Sequence, residues 1–439
     1  MSFALRAYGL LSSAIFPLIR GPLERGHSTG FDERCGIYST DKIEKFRQAP
    51  DGLTLWLHSV SVGEVQGASP FVSVVAERAP DVAVFVSTVT ETGAKSASHV
   101  IGELMTSHFY APWDIPFIVR RACSAVNPSI YVTMETEVWP NLLSELRSRG
   151  VPTCLLNARI SDRTAARAKL LRCCLKNAYS LFDLILARGD EDARRLAAIG
   201  VDQNVKVIGD CKIDAIMARS ESVSKDNHEL RGRLYIGDDT YCLTAGSTHE
   251  GEERMALSAF SAFKSDAGIR DARLIIAPRH PERAREIVKI SEPFGRAALF
   301  SELEPGRPDP PDIVVIDVIG LLFELYGVAD AAFIGGSLVS KGGQNILEPA
   351  SWGKPILHGP HMEDFLAPTL KLDEIGASHL VRDSDEMKRV LLSTVLDAGV
   401  RESAKRGRDY FIGRTGASQR AWESISDLWT LRRPYVPII

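Results

Sequence analysis

The sequence lacks the features that mark several classes of protein. Its seven cysteines are scattered along 439 residues without a single C-x-x-C pair, so a zinc site is not expected and reduced thiols in a cytosolic compartment fit best. The net charge of −4 argues against general nucleic-acid binding. The glycine-rich stretch 335–360 has neither the G-x-G-x-x-G nor the G-x-x-x-x-G-K-[ST] spacing. This absence argues against dinucleotide and Walker phosphate sites.

A long hydrophobic run is also missing. The most apolar segment, 7–19, would span only about 20 Å as a helix, less than the ~30 Å hydrocarbon core of a bilayer. Two interpretations stay open. The preferred one is an uncleaved segment that lies in the membrane interface, with Arg20, Arg25 and Arg34 facing anionic headgroups. The alternative is a core helix packed on its own domain.

Short apolar runs alternate with helical segments along the rest of the chain. Strands are predicted at 53–58, 82–86, 130–133, 151–156, 182–187, 205–208, 241–245, 274–277, 313–316 and 331–334, and helices at 321–326, 386–396, 401–411 and 417–431. Such alternation predicts parallel, doubly wound sheets, whose ligands collect at the carboxyl ends of the strands. The polar, weakly patterned stretch 216–238 is taken as the interdomain connection.

The predicted fold class is therefore α/β, with two Rossmann-like, doubly wound domains facing across a cleft. The expected parts are a membrane-associating segment (1–30), an N-terminal acceptor-binding domain (31–215), a C-terminal donor-binding domain (216–415) and a C-terminal helix (416–439) that can pack back on the N-terminal domain. This layout is typical of GT-B nucleotide-sugar transferases. Sugar-nucleotide epimerases and two-domain binding proteins share it.

The stretch 335–360 is the strongest single indication of a ligand site. Its glycines, among them Gly336 and Gly343, let the backbone turn sharply and approach a ligand, and free N–H groups at the following helix start can hold an anion. Glu348, in that first turn, could accept hydrogen bonds from the hydroxyls of a ribose. The glycines could also form merely a tight turn, and Glu348 could simply favour the helix dipole.

Six strings carry a resemblance to a known family: HSVSVGE (58–64), METEVWPN (134–141), NARIS (157–161), AGSTHEGE (245–252), PRHPER (278–283) and the stretch 335–360. In this order and spacing they resemble the 3-deoxy-D-manno-octulosonic acid (Kdo) transferases of Gram-negative lipopolysaccharide assembly. The resemblance implies a GT-B inverting glycosyltransferase that needs no metal or other cofactor. It also implies CMP-Kdo as donor, a lipid A precursor of the tetraacyl disaccharide type as acceptor, and a place at the cytoplasmic face of the inner membrane.

The resemblance also assigns roles to residues. Glu64 is the expected general base. The resemblance also puts Arg279, Gly343, Asn345 and Glu348 against CMP-Kdo. Beyond these, the expected donor-binding residues include Ser247, Thr248, His280 and Gly336, and the expected acceptor-binding residues are His58, Ser61, Glu135, Glu137, Arg159 and Lys212. Arg159 and Lys212, as cations at strand ends, are candidates for the phosphates of acceptor or donor. Gln344 stands where the family string has a histidine.

Each role has an alternative that the residues alone leave open. Glu64 could be only a first-turn helix acid, and Arg279 could pair with Glu282 at the surface. Ser247 and Thr248 could cap the helix that follows them. Glu135 and Glu137 could simply accept hydrogen bonds from backbone N–H groups of a loop, and Arg159 and Lys212 could each neutralise a neighbouring acid. At the level of function, a soluble UDP-sugar transferase or epimerase and a non-enzymatic sugar-nucleotide-binding protein are the alternatives.

Overall fold

The computed structural model describes residues 3–47, 53–160, 175–223, 227–304 and 309–431. The chain divides into two compact units. The first takes in the described residues of Met1–Ala215 and Arg414–Ile439, and the second is Ile216–Gly413. Each unit contains one seven-stranded sheet in which all pairs of neighbouring strands are parallel. The prediction of two parallel α/β domains is therefore confirmed.

The strands of each sheet follow a doubly wound order. The first sheet runs β3-β2-β1-β4-β5-β6-β7 and the second runs β10-β11-β9-β8-β12-β13-β14. The strands are β1 Thr54–His58, β2 Ala83–Thr88, β3 Ser107–Tyr110, β4 Ile130–Met134, β5 Thr153–Ala158, β6 Leu184–Ala187, β7 Val205–Val207, β8 Tyr241–Thr248, β9 Ala272–Pro278, β10 Ala297–Leu299, β11 Ile313–Val315, β12 Ala331–Ile334, β13 Ile356–His358 and β14 Ser378–Leu380.

Helices connect the strands. They are α1 Phe3–Gly26, α2 Phe31–Arg34, α3 Thr40–Arg47, α4 Val62–Arg78, α5 Glu91–Ser96, α6 Pro116–Val126, α7 Pro140–Ser148, α8 Asp190–Ala198, α9 Cys211–Val223, α10 Asn227–Arg233, α11 Glu252–Asp266, α12 Ala284–Ser291, α13 Leu322–Val328, α14 Leu347–Ser351, α15 Leu366–Ile375, α16 Ser384–Leu396, α17 Ala398–Ile412 and α18 Ala417–Leu431. The stretch 216–238, predicted as a weakly patterned connection, is largely helical, because it contains most of α9 and all of α10. Short 3-10 helices lie at Gly102–Leu104, Pro281–Arg283, Glu292–Phe294, Phe300–Glu302 and Glu363–Phe365, and a π-helical turn at Ala97–Ile101.

The first sheet is buried on both faces. Successive side chains of β1 alternate between two apolar clusters, so that Trp56 packs with Tyr131 in one and Leu55 and Leu57 lie in the other. A strand covered on both sides carries apolar residues at consecutive positions. This burial is the physical reason for the short, unbroken apolar runs in the sequence.

The last described helix, α18, packs on the first unit. Its Ala421 and Ile425 are fully buried in the same cluster as Val65 and Phe71 of α4. The carboxylate of Asp214 accepts hydrogen bonds from two backbone N–H groups at the start of α18, at 2.8 and 2.7 Å. The remainder of the predicted tail, 432–439, lies outside the described residues.

Helix α1 has one packed side and one exposed side. Phe16 is buried in a cluster with Phe31 and Ile118, whereas Leu10 and Leu18 are 74% and 79% exposed. Among the described residues, no helix combines the length and apolar character needed to cross a bilayer. The interfacial segment stays a prediction.

The prediction that Arg34 faces lipid headgroups is wrong. Its side chain is only 2% exposed, and its guanidinium lies over the ring of Tyr110 at 4.5 Å. The residue is therefore part of the interior of the first unit, and α2 presents no cation there to a membrane surface.

Gly335 illustrates how closely the backbone packs at the ligand edge of the second sheet. Its N–H donates to the carbonyl of Gly246 at 2.8 Å, and a Cβ at position 335 would lie 2.3 Å from the carbonyl oxygen of Ser247. We expect Gly335→Ala to lower the free energy of unfolding by about 3 kcal/mol, since backbone atoms cannot yield as a side chain can. Urea denaturation measures the change.

The matched control for this substitution is Gly232→Ala in α10, where a Cβ would meet no atom within 4 Å. Alanine favours a helix over glycine by about 1 kcal/mol, so this variant should be at least as stable as the parent. Equal denaturation midpoints for the two variants would contradict the prediction.

Candidate functional site

The predicted site residues gather where each sheet reverses its strand order. The order changes direction between β1 and β4 in the first sheet and between β8 and β12 in the second. Connections leave the strands toward opposite faces at such a point, which opens a crevice where ligands of these folds bind. Glu64 follows β1 and Glu135 follows β4, while Ser247 lies in β8 and Gly336 follows β12.

Glu64 is a buried carboxyl at the start of α4. It is the third residue of the helix and 8% exposed, and its Oε2 accepts a hydrogen bond from the N–H of Val60 at 2.7 Å. Burial raises the pKa of Glu64 to about 7; Glu137 and Glu135 also raise it, while the Val60 bond and Lys212 lower it. Glu64 is thus a helix-start acid, as the alternative had it, and also a carboxyl whose pKa suits a general base near neutral pH.

Glu135 does not continue its strand. Strand β4 ends at Met134, and Glu135 has φ 54°, a left-handed backbone conformation that ends the extended run before Glu137. Glu135 is 3% exposed, and its two oxygens lie 3.0 Å from Arg159 Nε and 2.5 Å from Lys212 Nζ. Burial raises the pKa of Glu137. Three carboxyl groups and two cations therefore meet at this switch point.

Arg159 and Lys212 neutralise a neighbouring acid, which was the alternative to a phosphate-binding role. Their side chains remain 46% and 36% exposed, so donors of both are also accessible to an anion. The side chain of Lys212 lies against α4 at Gly67: a Cβ on Gly67 would be only 3.1 Å from Lys212 Cγ. Gly67 is three residues after Glu64 and shares its helix face, which places the lysine beside the candidate base.

Replacing Lys212 with methionine is expected to raise the pKa of Glu64 above about 7, since the lysine cation lowers it. The titration of the Glu64 carboxyl, followed by carbon-13 NMR, measures this pKa directly. Lys206→Met is the control, because Lys206 is an exposed lysine of β7. A Glu64 pKa that stays unchanged or falls in the Lys212 variant would refute the proposed electrostatic coupling.

The structure revises the role of His58. Its ring is 2% exposed, its Nδ1 lies 2.9 Å from Ser87 Oγ, and burial lowers its pKa to about 4. Direct contact of this ring with an acceptor is contradicted, because the ring is neutral and enclosed at the end of β1. Ser61 precedes the first residue of α4 and is half-buried; within the described residues its hydroxyl makes no hydrogen bond, so it stays a candidate.

Sequence reasoning missed the support beneath Lys212. Asn157, with φ 56°, donates to Asp210 Oδ1 at 3.1 Å and accepts from the N–H of Cys211 at 3.0 Å. Asp210 Oδ1 also accepts from the N–H of Lys212 at 2.9 Å. These bonds fix the start of α9, which carries the lysine. The sequence does show polar residues at the ends of β5 and β7, but only the fold brings these residues into contact.

A small cavity adjoins Arg159. Within the part of the chain that the structure describes, it is lined by Thr136, Val138, Arg159, Ile160, Leu175, Ala178 and Tyr179, and its volume is about 240 Å³. Most of this lining is apolar. One guanidinium beside an apolar wall can receive a ligand that is itself part anion and part hydrocarbon.

In the second unit a buried acid occupies the expected anion cradle. Glu252, fully buried at the start of α11, accepts hydrogen bonds from the N–H groups of His249, Gly336, Ser337 and Leu338 at 2.8, 2.7, 3.0 and 2.9 Å. The Gly336 N–H is therefore not free to hold a ligand anion, which corrects the sequence-based expectation. Glu252 itself was missed, because three of its four donors lie more than eighty positions away.

Thr248 and Gly343 also have structural partners. The Thr248 hydroxyl is fully buried and donates to Glu253 Oε1 at 3.2 Å, which contradicts both direct donor binding and helix capping by this side chain. Gly343 donates its N–H to the Gly336 carbonyl at 3.0 Å, and a Cβ on it would lie 2.4 Å from a sulfur atom of Met362. Gly343 is thus required for packing. Ser247 is half-buried with φ 54° and stays a donor-binding candidate.

A cluster of basic side chains lies around Gly336. Arg279 is exposed directly after β9, and among the described residues its side chain forms no ion pair; Glu282, the expected partner, instead lies 3.5 Å from His280 Nδ1. Burial lowers the pKa of His249, and the nearby charges of His280, Lys341 and Arg279 lower it further. His249 and Lys341 were not predicted. Arg279 and Lys341 are two cations that one anionic ligand could contact.

Asn345 and Glu348 contact each other next to this cluster. Asn345 Nδ2 donates to Glu348 Oε1 at 3.2 Å, and Asn345 Oδ1 accepts from the N–H of Leu347 at 3.2 Å. Burial raises the pKa of Glu348 to about 7, against the opposing effects of Arg219 and Asn345. Glu348 is half-buried, and its role towards ribose hydroxyls remains a prediction.

Comparison with known proteins identifies the family. Residues 29–215 match the family model described as 3-deoxy-D-manno-octulosonic-acid transferase (kdotransferase). A 3-deoxy-D-manno-octulosonic acid transferase of Bordetella pertussis is 30% identical over 384 residues, which cover 86% of this chain and 88% of that protein. The chain belongs to the Kdo transferase family. A relative of the same name from Haemophilus influenzae is 29% identical and covers 92% of this chain and 91% of its own length.

Solved structures support the fold of this Kdo transferase family member. UDP-GlcNAc 2-epimerase from Neisseria meningitidis, bound to UDP-GlcNAc, matches with a TM-score of 0.60 at 13% identity over 85% of this chain and 100% of that one. A glycosyltransferase from Rickettsia africae matches with a TM-score of 0.54 at 12% identity over 88% and 99%. The two α/β units thus resemble those of GT-B proteins, and family and fold together make the chain a glycosyltransferase.

Proposed function

We propose that this enzyme transfers Kdo from CMP-Kdo to a lipid A precursor, with inversion at the anomeric carbon. The observation that carries the proposal is the buried Glu64, whose pKa is raised to about 7 by burial, at the switch point of the first sheet. It lies in the string HSVSVGE, on which the expected role of base depends. No other carboxyl of this string competes for the role.

The proposed reaction is a direct displacement. Glu64 takes the proton of an acceptor hydroxyl, whose oxygen forms the new bond to the anomeric carbon of Kdo. The bond from that carbon to the phosphate oxygen of CMP breaks with its electron pair, so CMP departs as a phosphate monoester. Attack from the face opposite the departing phosphate inverts the centre. The base acts only in its ionised form, which a pKa near 7 supplies at neutral pH.

The second unit supplies the donor site in this proposal. Arg279, Lys341 and His280 can bind the phosphate of CMP and the carboxylate of Kdo, since charge-assisted hydrogen bonds to such oxygens are among the strongest in proteins. The absence of an ion pair at Arg279 within the described residues supports this role, because its donors are open to a ligand. Glu348 is the proposed partner of the ribose hydroxyls.

The first unit supplies the acceptor site. Arg159 and Lys212 keep exposed donors beside Glu64 and suit a phosphorylated acceptor, while the apolar cavity next to Arg159 suits its hydrocarbon part. Leu10 and Leu18, both largely exposed on α1, support association with the membrane interface. In this proposal the enzyme works at the cytoplasmic face of the inner membrane, where the bilayer presents such an acceptor.

Incubation of the full-length enzyme with CMP-Kdo and a tetraacylated lipid A precursor, followed by mass spectrometry, tests the proposal. The expected product is heavier by one or more Kdo units, and NMR of the new linkage should show inversion. Parallel incubations with UDP-sugars test the alternative donor class. If calorimetry shows binding of CMP or UDP and no donor is turned over, the chain is instead a binding protein.

A further inference from the structure

Arg34 is a buried cation without a carboxylate partner among the described residues. Its side chain is 2% exposed, and its guanidinium lies 4.5 Å from the ring centre of Tyr110 and 5.5 Å from that of Trp113. Burying a charge in this way is costly, and the two aromatic faces offset only part of the cost. The residue therefore calls for an explanation beyond core packing.

The one hydrogen bond of this guanidinium that the structure records points to the site. Arg34 Nη2 donates to the carbonyl of Val89 at 2.5 Å, in the loop that follows β2. The backbone N–H of Val89 and the N–H and hydroxyl of Thr90 converge on the carbonyl of Val60, at 3.4, 3.4 and 3.3 Å. The N–H of Val60 in turn donates to Glu64 at 2.7 Å.

We infer that Arg34 is a positioning residue, which holds the base Glu64 in place through the loop 89–90 and the backbone of Val60. The inference rests on the proposed function, since it is the base whose position matters. A charge-assisted bond to the Val89 carbonyl fixes this loop. The loop then fixes the carbonyl of Val60. Because the N–H of Val60 belongs to the same residue, the loop also fixes the donor of the hydrogen bond that the Glu64 carboxylate accepts.

The inference predicts a specific change when Arg34 is replaced with methionine. The Val60 bond lowers the pKa of Glu64, so a loosened Val60 should raise that pKa by about one unit. The charged groups that face Glu64, namely Glu135, Glu137 and Lys212, are unchanged by the substitution. Those around Arg34 are Glu33, Glu91, Tyr110 and His108.

Two measurements on the full-length enzyme test the inference. Carbon-13 NMR should show the higher Glu64 pKa in Arg34→Met without any reference to turnover. The acidic limb of kcat/KM against pH should move upward by the same amount, with kcat at pH 7 reduced about tenfold. Arg34→Lys should restore part of both, because it keeps a cation but loses the planar group that stacks on the two rings.

Controls separate positioning from loss of stability. Arg273→Met removes another buried arginine, in the second unit, and should lower stability without moving the Glu64 pKa. Thr90→Val changes an exposed residue and removes the hydroxyl, one of the three donors to the Val60 carbonyl, so it should shift the pKa in the same direction by a smaller amount, even if Arg34→Met does not fold. An unmoved Glu64 pKa in folded Arg34→Met would overturn the inference, and if Arg34→Met does not fold, an unmoved pKa in both Arg34→Lys and Thr90→Val would do so. If the Glu64 pKa moves in the Arg34 variants while Glu64→Gln keeps full turnover, the proposed role of Glu64 as base is overturned and the positioning by Arg34 is not.

Discussion

Glu64→Gln is expected to lower kcat about a thousandfold, within the range that removal of a general base produces. Glutamine has nearly the same shape and can still accept the Val60 N–H bond through its amide oxygen, but it cannot take a proton. Binding of CMP by the second unit should be unchanged, because the substitution lies in the first. The measurement is single-turnover transfer from CMP-Kdo, with CMP affinity determined separately by calorimetry.

Glu77→Gln provides the matched control, since Glu77 is an exposed glutamate at the far end of the same helix. Its turnover should equal that of the parent. A Glu64→Gln enzyme with more than a tenth of parental kcat would exclude Glu64 as the base. Parental activity should rise through pH 7, because burial raises the pKa of Glu64 to about 7 and only the ionised form accepts a proton.

The same substitution should affect stability in the opposite direction. The folded-state pKa of Glu64 is raised above its ordinary value of 4.5 to about 7, so the folded protein holds this proton more tightly than the unfolded chain. Its contribution to stability is present below pH 4.5 and is lost as the pH rises through 7. At pH 8 Glu64→Gln should therefore be more stable than the parent, on the order of 2 kcal/mol.

Strands whose two faces are both buried could be predicted from the sequence. Short strands that are extended only because they pair with a neighbouring strand could not. The runs that became β1, β4 and β12 are continuous apolar segments with both faces covered, so composition alone marks them. Three short strands, β3, β10 and β14, lie at the edges of their sheets. The sequences SHFY, AAL and SHL carry little periodic signal, and only hydrogen bonds to a neighbouring strand make them extended.

The candidate site shows the same division. Position at the end of a strand could be predicted for Glu64, Glu135 and Arg279, because parallel strands present their carboxyl ends at one edge. The partner of each side chain could not. Glu135 takes both of its cations from later strands and helices, and Arg34, expected at a membrane surface, is instead enclosed by aromatic rings from β3 and the loop after it.

The carboxylate of Glu252 holds the loop that follows β12. A fully buried carboxylate accepts four backbone N–H groups, three of them from the loop that follows β12. Replacing Glu252 with alanine leaves these donors without their acceptor, so we expect the free energy of unfolding of the second unit to fall by about 3 kcal/mol. This loop carries Gly336, around which the basic side chains cluster. Loss of order in the loop should therefore raise the KM for CMP-Kdo at least about tenfold.

Glu252→Gln distinguishes charge from shape. Its amide keeps the volume but turns one acceptor oxygen into a donor that faces backbone N–H groups, so it should lose nearly as much stability as the alanine variant. Glu250→Gln, an exposed change two residues earlier, should match the parent in both respects. Urea denaturation and donor saturation curves measure the two effects. In the described structure, Glu252 is the only acceptor shared by the N–H groups of Gly336, Ser337 and Leu338. If Glu252→Gln impairs this acceptor and the KM for CMP-Kdo stays at the parental value, donor binding does not depend on the order of this loop.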